Sequence, residues 1–287
     1  MKERFEKYLN KVFKKVKNTE EVKELKNEIM NNLLEKSEDV KKITDNEEEN
    51  YEICINSLGD VYSLIKEYKS DYTKLDKKIE LPKYKLGEEL LNSISHGIGV
   101  GLSIAALILG LIKADSGIAI FSVLVYSISS IMLYLVSCLY HSFKHNNAKR
   151  VFRIIDHCTI YLLIAGTYTP ICLLKLPSPT SYIIFTTVWL IALIGIILNA
   201  IDLKKFKVVS MILYLVAGWC IIFSIKTLWA SMNHLGILLV LVGGILYTVG
   251  AILYGVGKKK RYMHSVFHIF CILASISFFI SIYLFVL

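Results

Sequence analysis

Three histidines in this chain have the side chains and the spacing that can hold a transition-metal ion. His264 and His268 stand four residues apart in H-S-V-F-H, so a helix would present both imidazoles on one face. His141 lies far earlier in the chain, in S-C-L-Y-H. An H-x-x-x-H pair alone is often accidental, but three neutral imidazoles with an open fourth position are a familiar zinc site. We expect His141, His264 and His268 to bind Zn²⁺.

One acidic residue accompanies the histidines. Asp156 occurs in R-I-I-D-H, near the start of the apolar segment that follows His141. A carboxylate beside a zinc site can orient a water molecule or accept its proton. The alternative is a salt bridge between Asp156 and Arg153 at the membrane surface. Ser137 precedes His141 by four residues and therefore shares its helix face.

A third group of polar residues is spaced for one helix face. Glu89, Asn92 and His96 occur in E-L-L-N-S-I-S-H, at positions i, i+3 and i+7. These side chains could hydrogen-bond to the metal ligands or line an entrance to the site. The alternative is an acid in the first turn of a helix, followed by polar residues that pack between helices.

The elements that must position these residues are long apolar stretches. Hydrophobic residues make up 54% of the 287 residues. Each stretch is close to the roughly 20 residues that a helix needs to cross a bilayer. Their continuous apolar character excludes an alternating β-barrel and predicts an all-α bundle of seven transmembrane helices. The predicted spans are 90–112, 118–140, 152–174, 181–201, 208–228, 235–256 and 263–287.

Basic residues occur in alternate loops and predict an orientation. By the positive-inside rule, the even-numbered segments end in the cytoplasm of a multi-pass plasma-membrane protein. The N-terminus is then cytoplasmic and the C-terminus extracellular, and His141, Asp156, His264 and His268 lie at one depth. The basic residues that determine this orientation are Lys144, Lys149, Arg150, Lys204, Lys205, Lys207, Lys258, Lys259, Lys260 and Arg261.

Charge is distributed unevenly along the chain. Residues 1–87 hold 19 of the 33 basic and 19 of the 24 acidic residues, so this region is neutral. The net charge of +9 belongs to the apolar part, where the basic residues lie between apolar segments. They do not form the continuous basic surface that is typical of nucleic-acid binding. The six cysteines form no C-x-x-C pair, and we expect them to be buried apolar residues without disulfides.

The N-terminal region has the pattern of a small cytoplasmic helical domain, residues 1–70, with a linker at 71–87 before the membrane domain at 88–287. Phe5, Leu9, Val12 and Val16 recur at helical spacing. Further helices are predicted at about 20–36 and 47–57, with a turn at Leu58-Gly59-Asp60 and a last helix to about Tyr68. This composition suggests an interaction or regulatory module whose protein partner is unknown.

The combined motifs resemble the hemolysin III family, the bacterial branch of the progestin and adipoQ receptor superfamily. The motifs are E-x-x-N-x-x-x-H, S-x-x-x-H followed by an Asp, H-x-x-x-H, and the stretch A-G-T-Y-T-P. The resemblance covers about residues 85–287. Residues 1–70 more loosely resemble a helical domain found in some membrane proteins of Firmicutes.

The resemblance implies seven helices, a zinc ion held by His141, His264 and His268, an acid at Asp156 and a polar neighbour at Ser137. Because the superfamily is similar to alkaline ceramidases, it also implies hydrolysis of a lipid-like amide or ester, with membrane lipids as partners. Two alternatives stay open: a membrane-state sensor with a structural zinc, and a cytolysin. A retinal protein is disfavoured, because the last segment has no internal lysine for a Schiff base.

Overall fold

Helices form the regular structure of the chain. A computed structural model describes residues 1–14, 16, 20–59, 61, 81–82, 84–144, 146–257 and 260–287. Those residues contain helices and no strand, which confirms the all-α class. The chain divides into two compact units, Met1–Glu80 with His145–Asn147, and Leu81–Lys144 with Ala148–Leu287.

The N-terminal unit contains α1 (Lys2–Val12), α2 (Glu20–Val40) and α3 (Glu47–Ser57). Phe5, Leu9 and Val12 are buried, as their spacing predicts, whereas Val16 lies beyond the end of α1. The side chain of Asn46 caps α3 by accepting hydrogen bonds from two backbone N–H groups of its first turn. Apolar side chains of all three helices therefore form a small core.

The predicted boundary of the N-terminal domain falls outside the described residues. The helix expected to reach Tyr68 and most of the linker at 71–87 lie in residues 62–80 and 83, so the boundaries at 70 and 88 stay predictions. At the predicted turn, Gly59 has a φ of 63°, a left-handed conformation that glycine adopts without steric cost.

Seven helical segments are long and apolar enough to cross a membrane in the part of the chain that the structure describes. They match the seven predicted spans to within a few residues at most ends. The first four are single α-helices: α4 (Leu86–Lys113), α5 (Gly117–Ser142), α6 (Asn147–Leu174) and α7 (Thr180–Asp202).

The fifth span is interrupted, which the apolar pattern did not predict. It consists of α8 (Lys207–Gly218), a 3₁₀ segment (Cys220–Ser224) and α9 (Ile225–Ser231). The sixth span is α10 (His234–Val256). The seventh is α11 (Met263–Ser281), which continues into a π-helical turn at Ile282–Val286.

Helix packing brings several helix ends to one place. α4 packs along α5, α10 packs along α11, and α11 also contacts α4. A Cβ atom on Gly99 of α4 would lie 2.5 Å from the ring of Tyr134 on α5, so only glycine allows this close approach. The starts of α4, α6 and α11 and the end of α5 form what we call the histidine end of the bundle.

The cysteines are all free thiols, and the prediction of apolar burial holds for four of them. Cys54, Cys172, Cys220 and Cys271 are buried. Cys138 and Cys158 are only half-buried, which corrects the expectation for those two residues.

Candidate metal centre

Three imidazoles converge at the histidine end. His141 lies in the last turn of α5, and His264 and His268 lie in the first two turns of α11. Nε2 of His264 is 3.1 Å from Nε2 of His141 and 3.1 Å from Nε2 of His268. Among the described residues, these three offer ligand atoms that all lie within 4.8 Å of one another. Side chains more than 100 residues apart therefore meet at one point.

The hydrogen-bond partners of Nδ1 in His141 and His268 show that Nε2 is the ring nitrogen that faces the other histidines. Nδ1 of His141 lies 2.6 Å from Oε2 of Glu89, and Nδ1 of His268 lies 3.3 Å from the backbone oxygen of Asn92. Because both partners are acceptors, both Nδ1 atoms must be protonated and donate. In the neutral rings, Nε2 of His141 and of His268 is then an unprotonated acceptor.

With this protonation pattern, hydrogen bonds cannot satisfy all three Nε2 atoms of the cluster. A neutral His264 has one ring proton, so its Nε2 can donate to at most one of the two neighbouring Nε2 atoms. At least one of the 3.1 Å contacts would otherwise join two lone pairs. A cation between the three nitrogens removes that repulsion.

Two of the three separations between the Nε2 atoms suit a metal ion bound by imidazoles. Nitrogens about 2.0–2.1 Å from a tetrahedral zinc lie about 3.3 Å from each other, close to the two observed separations of 3.1 Å. His141 and His268 are buried and His264 is half-buried. Imidazole suits zinc and several other transition metals. The three histidines can therefore hold a metal ion, with His141, His264 and His268 as the ligands.

Glu89 and Asn92 both contact the ligands, as one of the two sequence hypotheses proposed. The carboxylate of Glu89 orients His141 through Nδ1, the usual arrangement around a metal-bound histidine. Asn92 is fully buried, and its side-chain nitrogen lies 3.4 Å from Nδ1 of His141. Its side-chain oxygen accepts a hydrogen bond from Ser265 at 2.5 Å. Through Ser265 and His268, Asn92 thus links α4 to α11.

His96 lies beside the cluster and outside it. Its ring stacks on His268 with a centroid separation of 3.6 Å and meets Tyr134 edge-on at 5.1 Å. His96 is buried, and neither ring nitrogen has a hydrogen-bond partner among the described residues. The side chain packs against one ligand and does not line an entrance from solvent.

Asp156 and Ser137 lie near the same end but do not join the group of converging ligand atoms. Asp156 is buried in α6, and its carboxylate oxygen lies 3.8 Å from Nδ1 of His157. Ser137 is buried one turn before His141 on α5. The structure therefore brings the histidines together, while the catalytic roles of Asp156 and Ser137 stay predictions.

Three tyrosine rings pack against the histidine cluster, and the sequence analysis did not predict them. Tyr84 stacks on His264 at a centroid separation of 5.2 Å, Tyr254 lies 5.1 Å from the same ring, and Tyr140 lies 4.6 Å from the ring of His141. Burial raises the pKa of the Tyr84 phenol well above its ordinary value, so Tyr84 stays neutral. Tyr84 belonged to the predicted linker, where nothing in its sequence context marked it.

Two other residues of this end were also missed. Glu88 is buried, and its carboxylate accepts backbone hydrogen bonds from Lys85 at 2.9 Å and from Tyr262 at 3.0 Å. It thereby attaches the start of α11, just before His264, to the start of α4. Lys149 is buried as well and donates to Glu89 at 2.6 Å, although the sequence placed it only among the basic loop residues that determine the orientation.

The fold and the site together define a class, namely a seven-helix membrane protein with a buried cluster of three histidines at one end. A family model described as Haemolysin-III related matches residues 84–279, more than half of the chain. The chain belongs to the hemolysin III family, which confirms the resemblance of its motifs.

Curated relatives support this assignment. Hemolysin-3 of Bacillus cereus is 40% identical over 203 residues, which cover 70% of this chain and 92% of that protein. The Hemolysin-3 homolog of Bacillus subtilis (strain 168) is 40% identical over 202 residues, 69% of this chain and 94% of that protein.

A more distant similarity reaches the wider superfamily. The monocyte to macrophage differentiation factor of Homo sapiens is 27% identical over 152 residues, 51% of this chain and 62% of that protein. The family model begins at residue 84, so α1 to α3 lie outside the match. The role of the N-terminal unit therefore stays a prediction.

Proposed function

We propose that this protein is a zinc-dependent membrane hydrolase that cleaves a lipid-like amide or ester. The observation that carries the proposal is the convergence of three Nε2 atoms whose outer ring partners force at least two of them to be acceptors. Three histidines without a cysteine match the donor set of catalytic zinc sites. Similarity to a superfamily related to ceramidases favours a lipid-like substrate.

The residues have distinct proposed roles. Zinc held by His141, His264 and His268 would polarise a carbonyl group and lower the pKa of a bound water molecule to about 7. Asp156, buried in α6, is proposed to accept the proton of the attacking water and to return it to the departing amine or alcohol. Ser137 is proposed to hydrogen-bond to the substrate or to water.

We place the site at the cytoplasmic leaflet. Lys144, Lys204 and Lys205 lie at helix ends and are exposed, on the side that the positive-inside rule assigns to the cytoplasm. The histidine end adjoins the first of these loops, because α5 ends at Ser142. A substrate would then enter from the cytoplasmic lipid layer of the cell membrane.

The decisive experiment measures lipid hydrolysis by purified full-length protein in nanodiscs. Ceramides and lysophospholipids supply an amide and an ester substrate, and release of fatty acid is measured. We expect wild type and His234→Ala to hydrolyse one of these classes at the same rate, because His234 is exposed at the start of α10. His264→Ala should lose the activity. Equal turnover by wild type and His264→Ala would sink the hydrolase proposal.

One observation favours a second function. The three histidines join α5 to α11, and two of them are buried. A metal ion at this position would fasten two helix ends together whether or not a substrate reaches it. A protein that binds zinc, loses thermal stability on zinc removal and hydrolyses neither lipid class would support a membrane-state sensor with a structural metal.

A further inference from the structure

Lys149 occupies a position that the fold alone does not explain. Its side chain is 2% exposed in the first turn of α6. Lysine is almost never fully buried without a partner, and a cation at a helix N-terminus meets the positive end of the helix dipole. Burial at this place therefore needs a compensating interaction.

The contacts of Lys149 lead directly to the candidate metal ligands. Nζ donates to Oε1 of Glu89 at 2.6 Å and to the backbone oxygen of Phe143 at 3.0 Å. The other carboxylate oxygen of Glu89, Oε2, accepts from Nδ1 of His141 at 2.6 Å. Ammonium, carboxylate and imidazole thus form an unbroken chain that ends at the Nε2 atom facing the other two histidines.

We propose that Lys149 is a positioning residue of the metal centre, acting through Glu89 on His141. The proposal rests on the metal site of the proposed function and is independent of whether hydrolysis occurs. Lys149 fixes one oxygen of the carboxylate, so the other oxygen stays directed at Nδ1 of His141. The positive charge of Lys149 also balances the negative charge of Glu89, whose side chain is only 14% exposed. A buried carboxylate without such a partner is costly.

The consequence is control of one ring orientation. When Glu89 holds Nδ1–H of His141, the ring can offer only Nε2 to a metal ion. Outer partners of this kind typically change metal affinity by about 10- to 100-fold. Lys149 never touches the metal in this arrangement, so its effect should depend on the presence of Glu89.

The test measures zinc affinity of the full-length protein in detergent by competition with a chromophoric chelator. We expect Lys149→Met to weaken zinc binding by about 10-fold or more. Lys149→Arg keeps the positive charge and should stay much closer to wild type. Lys144→Met removes a charge from an exposed position of the same loop and should bind zinc like wild type.

A double-variant comparison separates positioning from simple packing and avoids a buried unpaired carboxylate. If Lys149 acts through Glu89, adding Lys149→Met to Glu89→Gln should leave zinc affinity at the value of Glu89→Gln alone. A further 10-fold weakening in the double variant would overturn the proposal, as would unchanged affinity in Lys149→Met. A wild-type protein that binds no zinc would overturn both this inference and the proposed function.

Discussion

Two regions of the membrane unit place polar groups inside an apolar bundle, and they do so in opposite ways. The histidine end gathers ionisable groups, with three imidazoles, the carboxylate of Glu89 and a lysine in contact. The second region is the interruption between α8 and α9 at Gly218–Ser224, which we call the helix break. There the polar groups are neutral backbone amides, hydroxyls and an indole.

At the helix break, neighbouring helices satisfy the freed backbone groups. The hydroxyl of Tyr168 on α6 donates to the oxygen of Gly218 at 2.8 Å and accepts from the N–H of Ile221 at 2.9 Å. Nε1 of Trp219 donates to the hydroxyl of Thr248 on α10 at 3.0 Å. A small cavity of about 20 Å³ borders these groups, and Phe278 contributes to its wall.

The two regions differ in whether their polar groups find partners within the protein. At the helix break, the polar groups just described pair with one another, as buried polar groups in folded proteins usually do. At the histidine end two nitrogens must be acceptors and face a third that can serve only one of them. A region whose donors and acceptors match stabilises a bend, whereas one in which acceptor nitrogens face each other indicates a site that can bind a cation.

The largest effect should come from removing one ligand. His268→Gln keeps a polar side chain of similar size and removes the imidazole, so zinc affinity should fall by more than about 100-fold, beyond the usual effect of an outer partner. The zinc content of purified protein, measured by elemental analysis, checks this result. His234→Gln, at an exposed histidine, provides the control. Full zinc content in His268→Gln would show that the cluster is not the metal site.

An intermediate effect should follow from changing the orienting carboxylate. Glu89→Gln removes the charge and the strong acceptor for Nδ1 of His141 but preserves the size of the side chain. Zinc affinity should fall by about 10- to 100-fold. Chelator competition measures the affinity, and the circular dichroism of the helices checks the fold. An unchanged affinity would mean that the contact between Glu89 and His141 does not act on the metal.

Sequence reasoning predicted the fold well because its main signal is physical and local. Apolar stretches of membrane-crossing length gave the seven spans, and basic loops gave a common depth for histidines far apart in the chain. The helix break was not predicted, because a tyrosine of another helix satisfies it and V-A-G-W-C-I-I is apolar throughout.

The site was predicted in part for a similar reason. His141, His264 and His268 have side chains that stand out in an apolar segment, so they were identified by type. Lys149 was used only as one of the basic loop residues that determine the orientation by the positive-inside rule. Its contact is with Glu89, a partner 60 residues earlier, and such pairings cannot be obtained from local patterns.

The smallest effect on the metal should come from the other region. Tyr168→Phe removes the hydroxyl that bridges Gly218 and Ile221, and leaves the buried Ile221 N–H without that partner. Because an unsatisfied buried donor costs about 1–3 kcal/mol, the free energy of unfolding should fall by about that amount. Zinc affinity should not change, since the groups at the helix break hydrogen-bond to one another and not to the histidines.

Unfolding in detergent and chelator competition on the same sample measure both quantities for Tyr168→Phe. Tyr182→Phe is the matched control, because Tyr182 is 64% exposed on α7 and should alter neither quantity. A large loss of zinc affinity in Tyr168→Phe would show that the two regions are coupled. The helix break and the histidine cluster would then not be independent, and the helix break would have to be counted as part of the metal centre.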